Sequence, residues 1–285
     1  MEPRFTVSLA QIKPRLADVP ANLELYERAV REARGQGADL VVFPELSLTG
    51  YHLKDEVQAV GEKLDGPVLG RLRELSRDLA LVVGFVEEAS DYRFFNSAAL
   101  LDRGEMVHVH RKVYLPTYGM FDENRYFARG GRIAAFDSRF GRAATLVCED
   151  LWHPSTAHVA ALDGAITLLC PSSSPARGVR ESTEQDDNAR TWELLNRAYA
   201  VAYGIFVIYV NRVGFEDGVG FWGGSEVLDA SGRRVVKAPY YEEAVVSCEI
   251  DLAAARRQRI MSPLLRDEDV DLTIRELQRI QGKPQ

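Results

Sequence analysis

Three stretches of the sequence each run an apolar strand pattern into a residue able to do chemistry. In DLVVFPELSLTGY (Asp39–Tyr51), Glu45 follows a buried-type strand and a proline. A carboxylate at the mouth of an apolar strand is desolvated, which raises its pKa toward values useful in a general base. The same position also suits an idle, solvated glutamate. In VHVHRKVYLP (Val107–Pro116), strand alternation puts His108, His110 and Lys112 on one face. Lys112 is then either an edge lysine that snorkels to water or a buried cation that stabilises an oxyanion. In RAATLVCEDLWHPS (Arg142–Ser155), Cys148 ends a buried strand ahead of Glu149, Asp150 and a helix expected from about Pro154. A thiol so placed can be held as thiolate by a nearby cation, with the Glu149 N–H donating to an oxyanion as at a nucleophile elbow. The alternative is a small buried hydrophobe, which is also the reading of Cys170 and Cys248.

Together the three strand ends say more than each does alone. A cysteine nucleophile needs a base and an oxyanion stabiliser, and the sequence offers no convincing Cys-His-Asn set. His153 is the only histidine close to Cys148, and it lies beyond the turn. Glu45 and Lys112 supply the missing functions. His108 and His110 have no Glu-x-x-His or cysteine partner nearby, so a structural role is expected and no metal is.

The elements that must position these residues alternate along the chain. Strands are expected at Phe5–Ile12, Asp39–Phe43, Leu81–Val86, Phe95–Asp102 and Met106–Val113. Helices are expected at Leu23–Arg34, stopped by Gly35 and Gly37, and at Pro67–Leu79. The second half repeats this grammar without repeating the sequence. Its strands are Ala143–Val147, Ala165–Leu169, Ile205–Val210, Glu226–Leu228, Arg233–Val236 and Ala244–Ile250, and its helices are Asp187–Tyr203 and Asp271–Gln281. Strands separated by helices, with several hairpin-like pairs, imply an α/β fold.

Composition bounds the rest. With 285 residues, 46% hydrophobic and 27% charged, the chain can bury a sizeable core and is not disordered, collagenous or disulfide-stapled. A net charge of −7 argues against a dedicated nucleic-acid binder. No apolar run reaches the ~18 residues a membrane span needs, and MEPRFTVSLAQIK lacks a signal-peptide core. Three cysteines in apolar surroundings point to a reducing compartment, hence the cytoplasm. No low-complexity linker interrupts the chain, so one domain over residues 1–285 is expected, with a tail from about 255 that packs on a partner subunit.

FPELSLTGY, HRKVYLPTYGMFDENRYFARG, LVCEDLWHPS and YVNRVGFEDGVGFWGGSEVLDASG resemble, in order and spacing, the nitrilase-type carbon–nitrogen hydrolases. The resemblance covers nearly the whole chain. It implies a four-layer α-β-β-α sandwich with mixed sheets and a Glu-Lys-Cys triad, here Glu45, Lys112 and Cys148. It also implies a second glutamate after the lysine, at Glu123. Within that family, CEDLW, KVYLPTYGMFDENRYF, the Ser172–Pro175 run and VNRVGFEDG look most like the glutaminase domain of glutamine-dependent NAD synthetases. That likeness implies a glutamine pocket lined by Tyr51, Tyr118 and Glu149, with Ser172 or Ser174 touching the amino-acid end. The Ser-Gly-Gly-x-Asp-Ser loop of the synthetase part is missing from the sequence, so amide hydrolysis is implied and NAD synthesis is not.

The implied reaction is cysteine-dependent hydrolysis of a non-peptide C–N bond through a thioester, with the glutamine amide as first substrate. Alternatives are another amidase, N-carbamoyl amino acid, ω-amide or nitrile specificity, or a non-catalytic regulatory subunit. No cofactor is implied. The implied partners are a small amide, further copies of the chain in a homodimer or larger oligomer, and a separate ammonia-dependent synthetase, with neither nucleic acid nor membrane.

Overall fold

The computed structural model describes residues 4–176 and 187–283. Its first half contains β1 (Arg4–Gln11), β2 (Leu40–Val42), β3 (Ala80–Glu88), β4 (Phe94–Asp102) and β5 (Glu105–Arg111). The second contains β6 (Ala135–Ser138), β7 (Gly141–Thr145), β8 (Thr167–Ser172), β9 (Phe206–Asn211), β10 (Val213–Glu216), β11 (Val219–Trp222), β12 (Glu226–Leu228) and β13 (Arg234–Lys237). The last strand, β14 (Ala244–Asp251), returns to the first sheet. That sheet has the order β14-β1-β2-β3-β4-β5 and the second β13-β12-β9-β8-β7-β6, while β10 and β11 form a separate hairpin.

Each sheet has three parallel strands at its centre, β1-β2-β3 and β7-β8-β9, with antiparallel strands outside. Parallel neighbours require crossover connections, and helices provide them. Helix α1 (Val19–Gly35) joins β1 to β2, with Asp18 capping it by accepting from the Ala21 N–H at 3.1 Å. The short α2 (Val57–Val60) and then α3 (Pro67–Leu75) lead into β3. Between the halves lies the single turn α4 (Glu123–Tyr126). In the second half α5 (Pro154–Leu162) and α6 (Asp187–Tyr203) make the corresponding crossovers.

The two sheets pack face to face through Val7, Leu9, Val42 and Val82 on one side and Leu169, Phe206, Ile208 and Val227 on the other. Tyr26, Ala29, Val30 and Ala33 of α1 cover the outer face of the first sheet. Ala157 and Ala160 of α5, with Trp192 and Ala200 of α6, cover that of the second. The architecture is thus a four-layer α-β-β-α sandwich with mixed sheets. Two helices follow β14. α7 (Leu252–Met261) buries Leu252 and Ala255, whereas α8 (Val270–Gln281) buries nothing and exposes Leu272, Ile274, Leu277 and Ile280.

Several boundaries differ from the sequence expectation for local reasons. Helix α3 stops at Leu75 because the Ser76 hydroxyl donates to the Arg73 carbonyl at 2.7 Å. Strand β8 continues past Leu169 to Ser172, since Pro171 pairs with Val210 in the ladder despite its missing N–H. Strand β6, the β10–β11 hairpin and α7 are not apparent in the sequence pattern. Among the described residues no helix is long and apolar enough to cross a membrane.

Gly84 in β3 makes the site possible. A Cβ there would lie 2.3 Å from the Pro44 carbonyl oxygen and 2.7 Å from the Leu46 nitrogen. The backbone around Glu45 therefore passes directly over this glycine. Gly84→Ala should push that segment away, lowering stability by about 1–3 kcal/mol as overpacking does. Urea denaturation measures the loss, and an unchanged midpoint would show that the segment has room to move.

Candidate active site

The three strand ends converge. Glu45 follows β2 and is fully buried, and Leu46 after it adopts a φ of 47°, so the chain turns sharply. Its Oε1 accepts from the Lys112 ammonium at 2.7 Å and from Asn96 Nδ2 at 2.8 Å. Its Oε2 accepts from the Ser173 N–H at 2.8 Å, and its backbone carbonyl from the Ser173 hydroxyl at 2.8 Å. One carboxylate is thereby held from both sheets.

Lys112 follows β5, and its ladder continues through its N–H to the Asn96 carbonyl at 2.9 Å. The ammonium also donates to Glu123 Oε1 at 2.7 Å, and the Tyr51 phenol donates to the same oxygen. Burial would push the Lys112 amine down, but the charges of Glu123 and Glu45 push it well above its ordinary value. It is therefore a permanent cation. Burial and the same two carboxylates push the Tyr51 phenol well up, so it stays a donor.

Cys148 sits at the start of a short 3-10 turn (Cys148–Trp152) with a φ of 45°. A non-glycine residue in that region costs of order 1–3 kcal/mol and marks a turn that the surrounding structure imposes. The residue keeps partial solvent access. Its thiol is pushed well above the ordinary value by burial and by Glu45, and Lys112 and the Ser173 N–H pull it back less. The direction of that shift opposes the thiolate that a nearby cation alone would favour. Two carboxylates already draw on the one cation, so the charge around the sulfur favours the thiol over the thiolate.

The other expected residues divide. Tyr51 and Glu123 belong to the inner cluster. Glu149 and Tyr118 lie further out, with the Tyr118 phenol donating to both Glu149 oxygens at 3.0 and 3.1 Å. Burial pushes the Glu149 carboxyl up, while Tyr118 and Lys112 pull it down. Tyr118 is half exposed and packs edge-on against Phe121, which meets Tyr51 in the same way. Ser172 and Ser174 are both buried. The Ser174 hydroxyl accepts from Asn188 Nδ2 at 2.9 Å and Trp192 Nε1 at 2.8 Å, and the Ser172 hydroxyl reaches the Cys170 carbonyl at 3.5 Å. Of the three serines, Ser173 meets Glu45.

Sequence reasoning also missed Asn96 and the anchor beneath Tyr51. There a buried Arg212 pairs with Glu216, whose carboxylate accepts from the Tyr51 N–H at 2.8 Å and the His52 N–H at 2.6 Å. Burial pushes Glu216 up, but His52 and Arg212 outweigh it and bring the carboxyl down to about 2. His108 stacks on Phe136 and His110 bonds to Asp150, so the two do not act together. Among the described residues no three His, Cys, Asp or Glu side chains form a cluster that could hold a metal.

Fold and site define a class, an α-β-β-α hydrolase of carbon–nitrogen bonds. Residues 6–260 match the carbon-nitrogen hydrolase family, and the chain belongs to it. Over 265 residues it is 33% identical to the glutamine-dependent NAD(+) synthetase of Thermotoga maritima, covering 91% of this chain and 44% of that protein. It is 28% identical to the N-carbamoylputrescine amidase of Arabidopsis thaliana, covering 90% of this chain and 89% of that one. A solved glutamate-to-glutamine variant of the amidase from Nesterenkonia sp. AN1, with acrylamide added at its active-site cysteine, superposes with a TM-score of 0.81. That match is at 27% identity and covers 95% of this chain and 99% of the amidase. The chain spans about half the length of the NAD synthetases it matches.

Two carboxylates on one ammonium leave a surplus negative charge, and Glu123 absorbs it. Burial pushes its carboxyl up to about 7, with Glu45 adding to the push and Lys112 and Tyr51 opposing it. Among the described residues its Oε2 has no hydrogen-bond partner, which leaves it open to carry the proton. The folded value exceeds the 4.5 of the free side chain, so the folded protein keeps a proton that the unfolded chain releases. This stability contribution is present below about pH 4.5 and is lost as pH rises through about 7. Glu123→Gln, neutral throughout, should flatten the decline over that window. Denaturation midpoints across pH read the slope, and an unchanged slope would assign the proton to another group.

Proposed function

We propose that the protein hydrolyses a primary amide through a thioester acyl-enzyme, with the side-chain amide of glutamine as substrate. The observation that carries this reading is Lys112 bridging Glu45 and Glu123 beside the Cys148 sulfur. Glu45 takes the thiol proton as the sulfur attacks the carbonyl carbon. Lys112 and the Glu149 N–H hold the developing oxyanion, a role in which one donor is typically worth ~10²–10³ in rate. The Glu45 proton then passes to the departing nitrogen, and ammonia leaves a thioester. Glu45 next takes a proton from water, the hydroxide opens the thioester, and that proton returns to the sulfur. Glu123 keeps Lys112 in place.

Glutamine is favoured by the mouth of the site. Tyr118 fixes a partly buried Glu149 carboxylate, which suits the α-ammonium of an amino-acid substrate. The match to part of the NAD synthetases supports the same substrate and an ammonia-using synthetase as the consumer of the product. A second reading, an amidase acting on a carbamoyl or ω-amide compound, is favoured by the near full-length match to N-carbamoylputrescine amidase. Oligomerisation belongs to the proposal as well. We infer that a second copy covers the apolar residues of α8, because a 12-residue helix is marginal alone in water. Sedimentation at micromolar concentration should give a dimer or larger species, and a strict monomer would refute it.

Glu45→Gln should lower turnover by ~10² or more while Cys148 stays open to alkylation, since losing the Glu45 charge favours the thiolate. The adduct on the comparable amidase variant is in keeping with this. Turnover and mass-spectrometric labelling are read together, with Cys148→Ala as the inactive reference. Near-normal turnover in Cys148→Ala would end the mechanism.

Substrate choice is tested by ammonia release from glutamine, alone and with an ammonia-dependent NAD synthetase. An uncharged aliphatic amide should be worse by ~10² or more in kcat/KM, because it leaves the Glu149 carboxylate unmatched. If glutamine is inert in both conditions while a carbamoyl or ω-amide compound reacts well, the second reading replaces the first.

A further inference from the structure

Asp150 lies two residues after Cys148, is wholly buried, and does not touch the inner cluster of carboxylates and ammonium. Both of its oxygens are nonetheless fully used. Oδ1 accepts from the Val113 and Tyr114 N–H groups, each at 2.9 Å. Oδ2 accepts from the Val147 N–H at 3.0 Å and faces His110 Nε2 at 2.8 Å. Against a carboxylate the ring nitrogen must be the donor, which fixes the His110 tautomer.

The sequence positions of these donors give the contact its meaning. Val147 immediately precedes Cys148, Val113 and Tyr114 immediately follow Lys112, and His110 precedes Lys112 by two residues. The thiol and the ammonium come from different sheets, whose packing is apolar in the core and is crossed near the site by the Ser173 bonds to Glu45. Apolar packing is non-directional, so it does not by itself set the spacing of two polar groups. Four directed hydrogen bonds to one rigid carboxylate do, and they tie the chain beside Cys148 directly to the chain beside Lys112, where the Glu45 bonds reach Ser173 instead.

We propose that Asp150, braced by His110, is a positioning residue that sets the spacing between the Lys112 ammonium and the Cys148 sulfur. This rests on the catalytic reading of Lys112 and Cys148. Neither Asp150 nor His110 touches the reacting atoms. Their contribution is geometric, and a displacement of about 1 Å at such a site can cost ~10²-fold in rate.

The test separates position from stability by comparing two variants at one site. In His110→Gln the side-chain amide can bring an N–H to where the ring Nε2–H stands, and in His110→Leu nothing can. His110→Leu should lower kcat at least tenfold, with KM within twofold, on whichever of glutamine, N-carbamoylputrescine or a short ω-amide the wild type turns over best. It should also slow iodoacetamide labelling of Cys148, because the displaced ammonium no longer favours the thiolate. His110→Gln should restore both to within about threefold of wild type. If His110→Leu lowers the melting temperature but leaves kcat per folded molecule and the labelling rate unchanged, the pair is structural only and the inference fails. Should His110→Leu not fold, Asp150→Asn is measured in the same two assays. There an unchanged kcat and labelling rate overturn the inference, and a tenfold loss in kcat with KM kept supports it. Turnover surviving in Cys148→Ala would instead overturn the catalytic reading on which the inference rests.

Discussion

One ammonium shared by two buried carboxylates is the constraint from which the site follows. Lys112 reaches Glu45 and Glu123 at the same distance, and all three side chains are removed from water. Burying each ion costs several kcal/mol, which their attraction repays only when the geometry is tight and the remaining donors and acceptors are satisfied. The partners of Glu45 supply that satisfaction from Asn96 in β4 and Ser173 after β8. Removing Lys112 would strand two carboxylates. In the proposed reaction the same cation also holds the oxyanion, so a variant at this position is read for fold and chemistry together.

Charge balance then explains why the sulfur rests as a thiol. The cluster is already one negative charge in excess when both glutamates are ionised, and a thiolate would add another. The structure relieves the excess by raising Glu123 and keeping Cys148 protonated. A carboxylate that accepts three side-chain or backbone donors at fixed angles leaves little freedom for the proton it must take. The left-handed backbone at Leu46 and at Cys148 fixes where the Glu45 carboxylate and the Cys148 sulfur stand.

Much of this is legible in the sequence, and what is hidden has a common cause. Glu45, Lys112 and Cys148 each stand at a strand end, and it is the three together, not any one local pattern, that expose them. Asn96 and Ser173 are hidden because their importance comes from pairing with Glu45 across 51 and 128 residues. Of the serines that end β8 and follow it, Ser173 meets Glu45, a pairing that the sequence pattern does not single out. The layered fold follows from alternating strands and helices. The β10–β11 hairpin does not, because its glycine-rich run carries no clean alternation, although its Glu216 holds the backbone of Tyr51 and His52.

The distribution of charge from the inner cluster to the mouth also limits what can react. A substrate whose reacting end carried a negative charge would meet an already anionic cluster in a medium where burial is costly. A neutral carbonyl carrying a neutral leaving nitrogen adds no charge until the transition state, when the oxygen turns negative beside Lys112. On the proposed reading, the charged portion of a substrate stays near Glu149 and the half-exposed Tyr118. The proposed substrate, an amide at one end of a short, polar molecule, meets both requirements, and on that proposal specificity turns on the chain length between the two ends.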